Sequence, residues 1–204
     1  RTSGKVGRTA MRYEVARDAA YSLGVDLGGT KVIAALADLS GELVAEATEP
    51  TDRRGGRAVL SQIHALGQKL AGEAGIDPAR IRSVVIGSPG VIDPATGAIG
   101  LVPNIKGLSE LDVPGELGAL FGIPVFIEND VNLAMLGEAW QGAAQGRDDA
   151  AFLALGTGAG LGLIVNGKLA RGATGAAGEV AYLPVGRETD TPAAREVGTF
   201  ELEI

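Results

Sequence analysis

The segment Gly24-Val25-Asp26-Leu27-Gly28-Gly29-Thr30-Lys31-Val32 lies where one apolar run (21–25) gives way to another (32–36). That order predicts two strands joined by a tight turn. The plan then returns. An apolar run over 149–155 leads into Gly156-Thr157-Gly158-Ala159-Gly160-Leu161-Gly162, a further apolar run at 163–165 and the hairpin pair Asn166-Gly167. Strand, glycine-rich turn with one threonine, strand: the chain repeats this unit in matching places. Two such turns facing each other across a cleft would clamp the two ends of a polyphosphate.

The first turn carries chemistry as well as geometry. Gly28 and Gly29 permit positive φ and close approach of another group to the backbone. Their N–H groups, the Thr30 hydroxyl and the Lys31 ammonium are able to converge on an anion such as a phosphate. Asp26, at the mouth of the turn, is placed to meet a hydrated Mg²⁺, which favours carboxylate oxygen. A plain hairpin whose turn is Gly-Gly accounts for the same residues.

Taken in order, the chain predicts a short strand over 11–15, then an antiparallel meander of Tyr21–Leu27, Lys31–Asp38 and Leu43–Pro50, with Ser40-Gly41 as the second turn. Leu60, Ile63, Leu66 and Leu70 recur at helical spacing over 57–74, and Gly75 marks a stop. His64, the single histidine, reads as a surface residue of that helix. A buried strand over 81–86 ends in Gly87-Ser88-Pro89-Gly90, and such turns at the carboxyl ends of strands are where open α/β sheets place ligands. Asn104 follows Pro103; it suits a hydroxyl-rich ligand, and Pro-Asn is also ordinary turn chemistry. A helix over 112–121 takes Asp112 as N-cap and Pro114 in its first turn.

A strand over 123–127 runs into Glu128-Asn129-Asp130, and a helix follows over 131–140. Two compatible readings apply. Asp130 caps the helix; and Asp130 accepts a proton from a substrate hydroxyl while Glu128 or Asn129 holds the substrate. A glycine- and alanine-rich loop over 172–178 leads to Glu179, either a hydroxyl-binding group or a surface carboxylate at the start of a strand. Residues 186–196 read as a polar loop.

Composition excludes several classes. The net charge of −7 argues against this segment holding nucleic acid by its general field. With no cysteine there is no disulfide, no thiol nucleophile and no cysteine-based zinc site. No apolar run reaches membrane-spanning length and no signal-peptide core opens the chain, so a cytoplasmic location is expected. Thirty-two glycines against one Trp, three Tyr and four Phe predict a core of aliphatic residues, as in an α/β sheet packed by helices. The first residue is Arg and the last five begin a helical pattern without a cap, which suggests a fragment of a longer protein.

The ordered set Asp26-Leu-Gly-Gly-Thr-Lys31, Gly87-Ser-Pro-Gly90, Pro103-Asn104, Glu128-Asn-Asp130, Gly156-Thr-Gly-Ala-Gly-Leu-Gly162 and Gly178-Glu179 resembles the ROK family of bacterial sugar kinases and sugar-responsive repressors. The resemblance covers residues 20–204. It implies an α/β chain of the actin-like, hexokinase-like (ribonuclease H-like) ATPase fold: an N-terminal lobe over 20–128 and the truncated start of a second lobe over 129–204. It implies Asp130 as catalytic base. Asn104, Glu128, Asn129, Asp130 and Glu179 become the sugar-binding set. Gly28, Gly29, Thr30, Lys31, Thr157 and Gly158 become the ATP-phosphate turns, with Asp26 beside Mg²⁺. A base, two donor-rich turns and a metal suffice for phosphoryl transfer, which relies on positioning and charge neutralisation.

Two departures from the family pattern matter. Where the family has a Gly-His pair after the glutamate, this chain has Ala181-Tyr182, and at the three zinc cysteines it has Pro192, Ala194 and Thr199. Zinc needs N or S ligands in tetrahedral array, so no structural zinc is expected, and Tyr182 is expected to replace the imidazole at the anomeric end of the sugar. The helical half that holds adenine in the family is also missing, so weak ATP binding is expected. The basic stretch over 1–19 resembles the link that follows a winged helix-turn-helix in ROK repressors. The favoured expectation is therefore the sugar-sensing domain of a ROK regulator, meeting operator DNA only through an upstream domain. The alternative is an ATP-dependent, glucokinase-like sugar kinase using ATP and Mg²⁺. Family resemblance also suggests a homo-oligomer.

Overall fold

The computed structural model describes residues 13–100, 104–156, 158–183 and 191–193. Residues 1–12, Pro103, Thr157, Ala194, Thr199 and the helical pattern over 200–204 lie outside the described residues.

Strand β1 (Tyr21–Leu27) alternates buried and exposed residues along its whole length, the period-2 signature of a strand with one covered face. It pairs antiparallel with β2 (Lys31–Asp38), which pairs antiparallel with β3 (Leu43–Pro50). On its other side β1 pairs parallel with β4 (Ile81–Ser88), and β4 with β7 (Val125–Asn129). The first sheet therefore has the order β3-β2-β1-β4-β7. Between β4 and β7 lies a two-residue pair, β5 (Val91–Ile92) with β6 (Ile99–Gly100). A second sheet, in the order β10-β9-β8, is the antiparallel meander of β8 (Ala150–Leu155), β9 (Ala159–Val165) and β10 (Lys168–Leu169). The β9–β10 turn is Asn166-Gly167, with φ of 51° and 71°, the all-positive pattern of a tight hairpin. The repeated plan in the sequence is thus a repeated three-stranded meander.

Helix α1 (Gly56–Glu73) buries Val59, Leu60, Ile63, Leu66, Leu70 and Ala71. This stripe covers one face of the first sheet, against Leu23, Val25, Leu27, Val32, Ala34, Leu36 and Ile86. Helix α2 (Val113–Phe121) is capped by Asp112, whose side chain accepts from Gly115 N at 3.0 Å. His64 meets Phe121 edge-on at 4.8 Å, on the α1 side of the sheet. Helix α3 (Asp130–Gln141) takes the opposite face, between β4 and β7 on one side and β8 and β9 on the other. Met135, fully buried, joins Ile164 and Phe152 in a second small core.

The approach of α3 to β9 depends on missing side chains. A Cβ at Gly160 would fall 2.8 Å from Val131 Cγ2, and one at Gly162 would fall 2.6 Å from Met135 Cβ and 2.7 Å from the Val131 carbonyl oxygen. Gly160 and Gly162 are therefore strand residues that admit the helix, which corrects the expectation that the whole 156–162 segment is a turn. The β8–β9 pairing closes at Leu155 with Ala159, and Gly156 N donates to the Gly158 carbonyl at 3.0 Å. Two smaller corrections follow. Residues 13–16 form no strand, and Glu179 opens a 3₁₀ turn (Val180–Tyr182) rather than a strand.

Before the first strand, Arg17–Ala19 form a short 3₁₀ turn tied to the domain. The Arg17 carbonyl accepts from Leu39 N at 3.0 Å, and Asp18 pairs with Arg80 at 3.3 Å. The indole of Trp140, in the last turn of α3, rests on Gly41 of the adjoining β2–β3 turn.

Candidate functional site

The parallel strands β1, β4 and β7 end together, and their register sets Asp26 beside Gly87 and Gly87 beside Glu128. Residues in one cross-strand row share a face, and here it is the face taken by α3. A cleft of about 470 Å³ opens there, bordered by Asp26, Gly87, Asp130 and Val131, with Phe152 and Ala154 from the second sheet.

Gly87 lets α3 reach this position. A Cβ on it would stand 3.2 Å from Leu133 Cδ1 and 3.5 Å from Asp130 Cα. The sequence marked the Gly87–Gly90 turn but gave no reason to single out Gly87 for helix contact. The N-cap of α3 is Asn129, whose Oδ1 accepts from Asn132 N at 3.0 Å. Its Nδ2 donates to the Gly90 carbonyl at 3.1 Å. Asp130 is the first helical residue, not the cap, and its Oδ1 accepts from Val131 N at 2.8 Å. Capping by the neighbour leaves Asp130 on the cleft wall.

Glu128 is fully engaged by the protein. Its Oε1 accepts from Asn129 N and from Asn132 Nδ2, both at 3.0 Å, and its Oε2 accepts from Arg171 Nε. Asn132 is buried and Arg171 half-exposed. Neither was singled out in the sequence. Asn132 does carry a signal, a polar residue where α3 turns inward.

The loop after β10 brings in the remaining carboxylate. Gly178, at φ 95°, sits against the Leu161 carbonyl, where any side chain would collide, and its own carbonyl accepts from Leu161 N at 3.0 Å. Glu179 follows, half-buried. Burial raises the Glu179 carboxyl above the usual range, and the nearby Asp130 charge adds to this. The Asp26 carboxyl is likewise raised, first by burial in the cleft and then by Asp130, while Lys31 opposes the shift. Asp26, Asp130 and Glu179 are thus brought into one electrostatic neighbourhood. Tyr182, two-fifths exposed, ends the 3₁₀ turn after Glu179.

The first turn differs in detail from expectation. Neither Gly28 nor Gly29 has positive φ. Gly28 N donates to the Lys31 carbonyl at 2.9 Å, so this N–H closes the hairpin rather than facing a ligand. Thr51 braces the turn, its hydroxyl donating to the Gly28 carbonyl at 2.6 Å and its N–H to the Thr30 carbonyl at 3.0 Å. Glycine at 29 serves close approach: a Cβ there would fall 2.8 Å from Asn104 Cβ. The loop carrying Asn104 is pinned by buried Ile105 and Leu108 and by Gly56 N donating to the Lys106 carbonyl at 2.8 Å. Asn104 and the Gly28–Lys31 turn are therefore neighbours.

Among the described residues, no three His, Cys, Asp or Glu side chains form a cage for a metal ion. Asp26 and Asp130 share a cleft, and Mg²⁺ commonly takes one or two carboxylates together with substrate phosphates. The donor set fits that mode and not an all-protein site. No helix among the described residues is long and apolar enough to cross a membrane.

The model of the ROK family matches residues 22–194. The glucokinase of Halalkalibacterium halodurans is 34% identical over 174 residues, covering 84% of this chain and 52% of that protein. The xylose repressor of Caldicellulosiruptor bescii is 31% identical over 200 residues, covering 97% of this chain and 49% of that protein. The structure of a ROK family glucokinase from Streptomyces griseus, in complex with glucose and AMPPNP, superposes with a TM-score of 0.73 at 32% identity, over 81% of this chain and 51% of that one. The chain spans about half the length of the curated relatives it matches. It belongs to the ROK family, and its architecture is that of the family's actin-like ATPase fold.

Proposed function

We propose that this ROK family chain is the sugar-binding, kinase-like part of a transcriptional regulator, taking a hexose or a hexose derivative in the cleft beside Asp130. The observation that carries the reading is the reach of the repressor match. It covers 97% of the chain and so takes in most of residues 1–19, against 84% for the glucokinase. In this reading residues 1–19 are the link to an upstream DNA-binding domain that meets operator DNA. Residues 20–128 are the first lobe and 129–204 the start of the second, in a cytoplasmic homo-oligomer.

The sugar hydroxyls meet Asn104, Asn129, Asp130, Glu179 and Tyr182. Glu128 serves them indirectly, by holding Asn129 and Asn132. Helix α3 then has the sugar at its first turn and Trp140 at its last, against the β2–β3 turn that bonds Arg17. A sugar that favours one disposition of α3 shifts the equilibrium felt at the lead, provided that it binds the two states with different affinity.

The alternative, an ATP-dependent sugar kinase, is favoured by Asp130 on the cleft wall with Asp26 close by. There Asp130 accepts the proton of the attacking hydroxyl. Gly28, Gly29, Thr30, Lys31, Thr157 and Gly158 would meet the ATP phosphates, and Asp26 would hold Mg²⁺. When bound, MgATP supplies the phosphoryl group. No zinc enters either reading.

The test uses the full-length natural protein. Its retardation of the DNA upstream of its own gene is measured with glucose, mannose, N-acetylglucosamine and xylose, beside ADP release with the same sugars. Retardation relieved by one sugar supports the regulator. Sugar-dependent ADP release that Asp130→Asn abolishes, without DNA retardation, replaces it with the kinase.

A further inference from the structure

Arg171 stands where the two halves of the proposed sugar site meet. Its Nε donates to Glu128 Oε2 across 43 residues of sequence, onto a carboxylate whose side chain is only 13% exposed. Through Glu128 the contact passes to Asn129 N and Asn132 Nδ2, that is, to the strand end and helix start that present Asn129 and Asp130. The backbone of Arg171 works on the other half. Its carbonyl accepts from Ala177 N at 3.1 Å and closes the loop that leads through Gly178 to Glu179. Gly175, midway along that loop, lies against the Ile92 carbonyl, where a side chain would collide.

We infer that Arg171 is a positioning residue that sets the spacing between Asn129–Asp130 and Glu179, with its side chain fixing one half of the sugar site and its carbonyl the other. The inference rests on the sugar-site reading above. Arg171 itself makes no contact with sugar. A guanidinium is suited to the task because its donors form a rigid, permanently charged fork. A charge-assisted hydrogen bond to a largely buried carboxylate is among the stronger single contacts available at such a junction. A sugar that bridges Asp130 and Glu179 requires both at a fixed separation, and no other ion pair among the described residues joins β7 to the segment after β10.

The test is calorimetric titration with glucose, mannose, N-acetylglucosamine and xylose on the natural protein and on Arg171→Gln, Arg171→Lys, Glu128→Gln and the Glu128→Gln/Arg171→Gln pair. For the sugar that binds, Arg171→Gln is expected to weaken affinity about tenfold, equivalent to about 1.4 kcal/mol. Arg171→Lys keeps the charge but not the fork and is expected to lose about threefold. The double variant is expected to bind no more weakly than Glu128→Gln alone, because the effect passes through Glu128. A merely structural arginine would lower the urea midpoint and leave the affinity of the folded protein unchanged. Arg171→Gln that is folded and binds within about twofold of the natural protein overturns the positioning role alone. If Arg171→Gln does not fold, Arg171→Lys decides, and unchanged affinity overturns the role. Absence of binding by the natural protein to any of the four sugars overturns the sugar-site reading and the positioning role with it.

Discussion

Replacing Gly162 with alanine probes the contact on which the cleft is built. Alanine for glycine in an unobstructed position usually stabilises, by about 0.4–1 kcal/mol, because the unfolded chain has fewer conformations to lose. Gly162 is obstructed. The new methyl would stand 2.6 Å from Met135 Cβ and 2.7 Å from the Val131 carbonyl oxygen, both short of van der Waals contact, and one of them is helix backbone that cannot rotate aside. Relief requires α3 to move off β9. Such overpacking costs about 1–3 kcal/mol, so the net loss after the unfolded-state gain is about 1–2 kcal/mol. With a urea dependence of about 2 kcal/mol per molar, the denaturation midpoint falls by about 0.5–1 M. Gly72→Ala is the internal control, since nothing lies within 4 Å of its Cβ position on α1, and it raises the midpoint by about 0.5 M through helix propensity. Sugar affinity should fall as well, because Asp130 rides on the displaced helix and misplacements of about 1 Å carry large functional losses. A Gly162→Ala midpoint equal to or above that of the parent would refute the close packing of α3 on β9, and with it the account of how Asp130 is held.

Three further outcomes are expected. Asp26 is held above its usual range by burial and by Asp130; a carboxyl raised in this way favours folding in its neutral form, so its ionisation penalty is absent below the unfolded value and grows as pH rises from there towards the folded value. Asp26→Asn should therefore raise Tm at pH 7 and not at pH 3, and a lower Tm at pH 7 contradicts the assignment. Asp130→Asn keeps an oxygen able to accept from Val131 N and relieves the charge felt by Asp26 and Glu179, so the urea midpoint should not fall while any sugar-dependent ADP release drops by about 10²–10⁴-fold; retained turnover removes Asp130 as the base. Asp52, partly buried, is lowered to about 2 by the Arg54 guanidinium, so its contribution to stability is present above its unfolded value and is lost as pH falls from about 4 to about 2. Urea midpoints of Asp52→Asn and the parent should converge across that window, and a constant gap down to pH 2 rules the pair out as the cause.

Where the fold was legible, the signal was periodic and local. The stripe Leu60, Ile63, Leu66, Leu70 predicts α1 to within a residue of its observed start, and the meander bounds follow from alternation between turn residues. What escaped depends on partners distant in sequence. Asn129 and Asp130 are both good cap residues, and nothing nearby chooses between them. The choice is made by the Gly90 carbonyl, 39 residues upstream, which takes the Asn129 amide. The engagement of Glu128 by Arg171 spans 43 residues, so the sequence left Glu128 among the sugar-binding residues. The two glycine-rich segments look alike as strings yet use glycine differently. Gly29 admits Asn104 beside the first turn, whereas Gly160 and Gly162 admit a helix against a strand. Absence of a side chain records that something comes close, not what comes close.

The distribution of satisfied and unsatisfied charge separates structural from binding residues within a single tripeptide. Glu128 has both oxygens occupied by protein donors, one of them cationic, whereas Asn129 commits its oxygen to Asn132 N and one amide proton to the Gly90 carbonyl, which leaves its second amide proton for a ligand. Asp130 receives one backbone donor and otherwise faces a cleft in which burial and its own charge raise the carboxyls of Asp26 and Glu179. Folding gains nothing from setting such groups together, since the Asp130 charge disfavours ionisation of the other two. In the proposed reading a ligand changes that balance: sugar hydroxyls would donate to Asp130 and Glu179, and a cation near Asp26 would offset the repulsion there. On that reading the arrangement that lowers the stability of the empty protein would supply the affinity for a polyol, which is why substitutions at Asp26 are expected to trade one against the other while substitutions at Arg171 are expected to act on affinity through geometry.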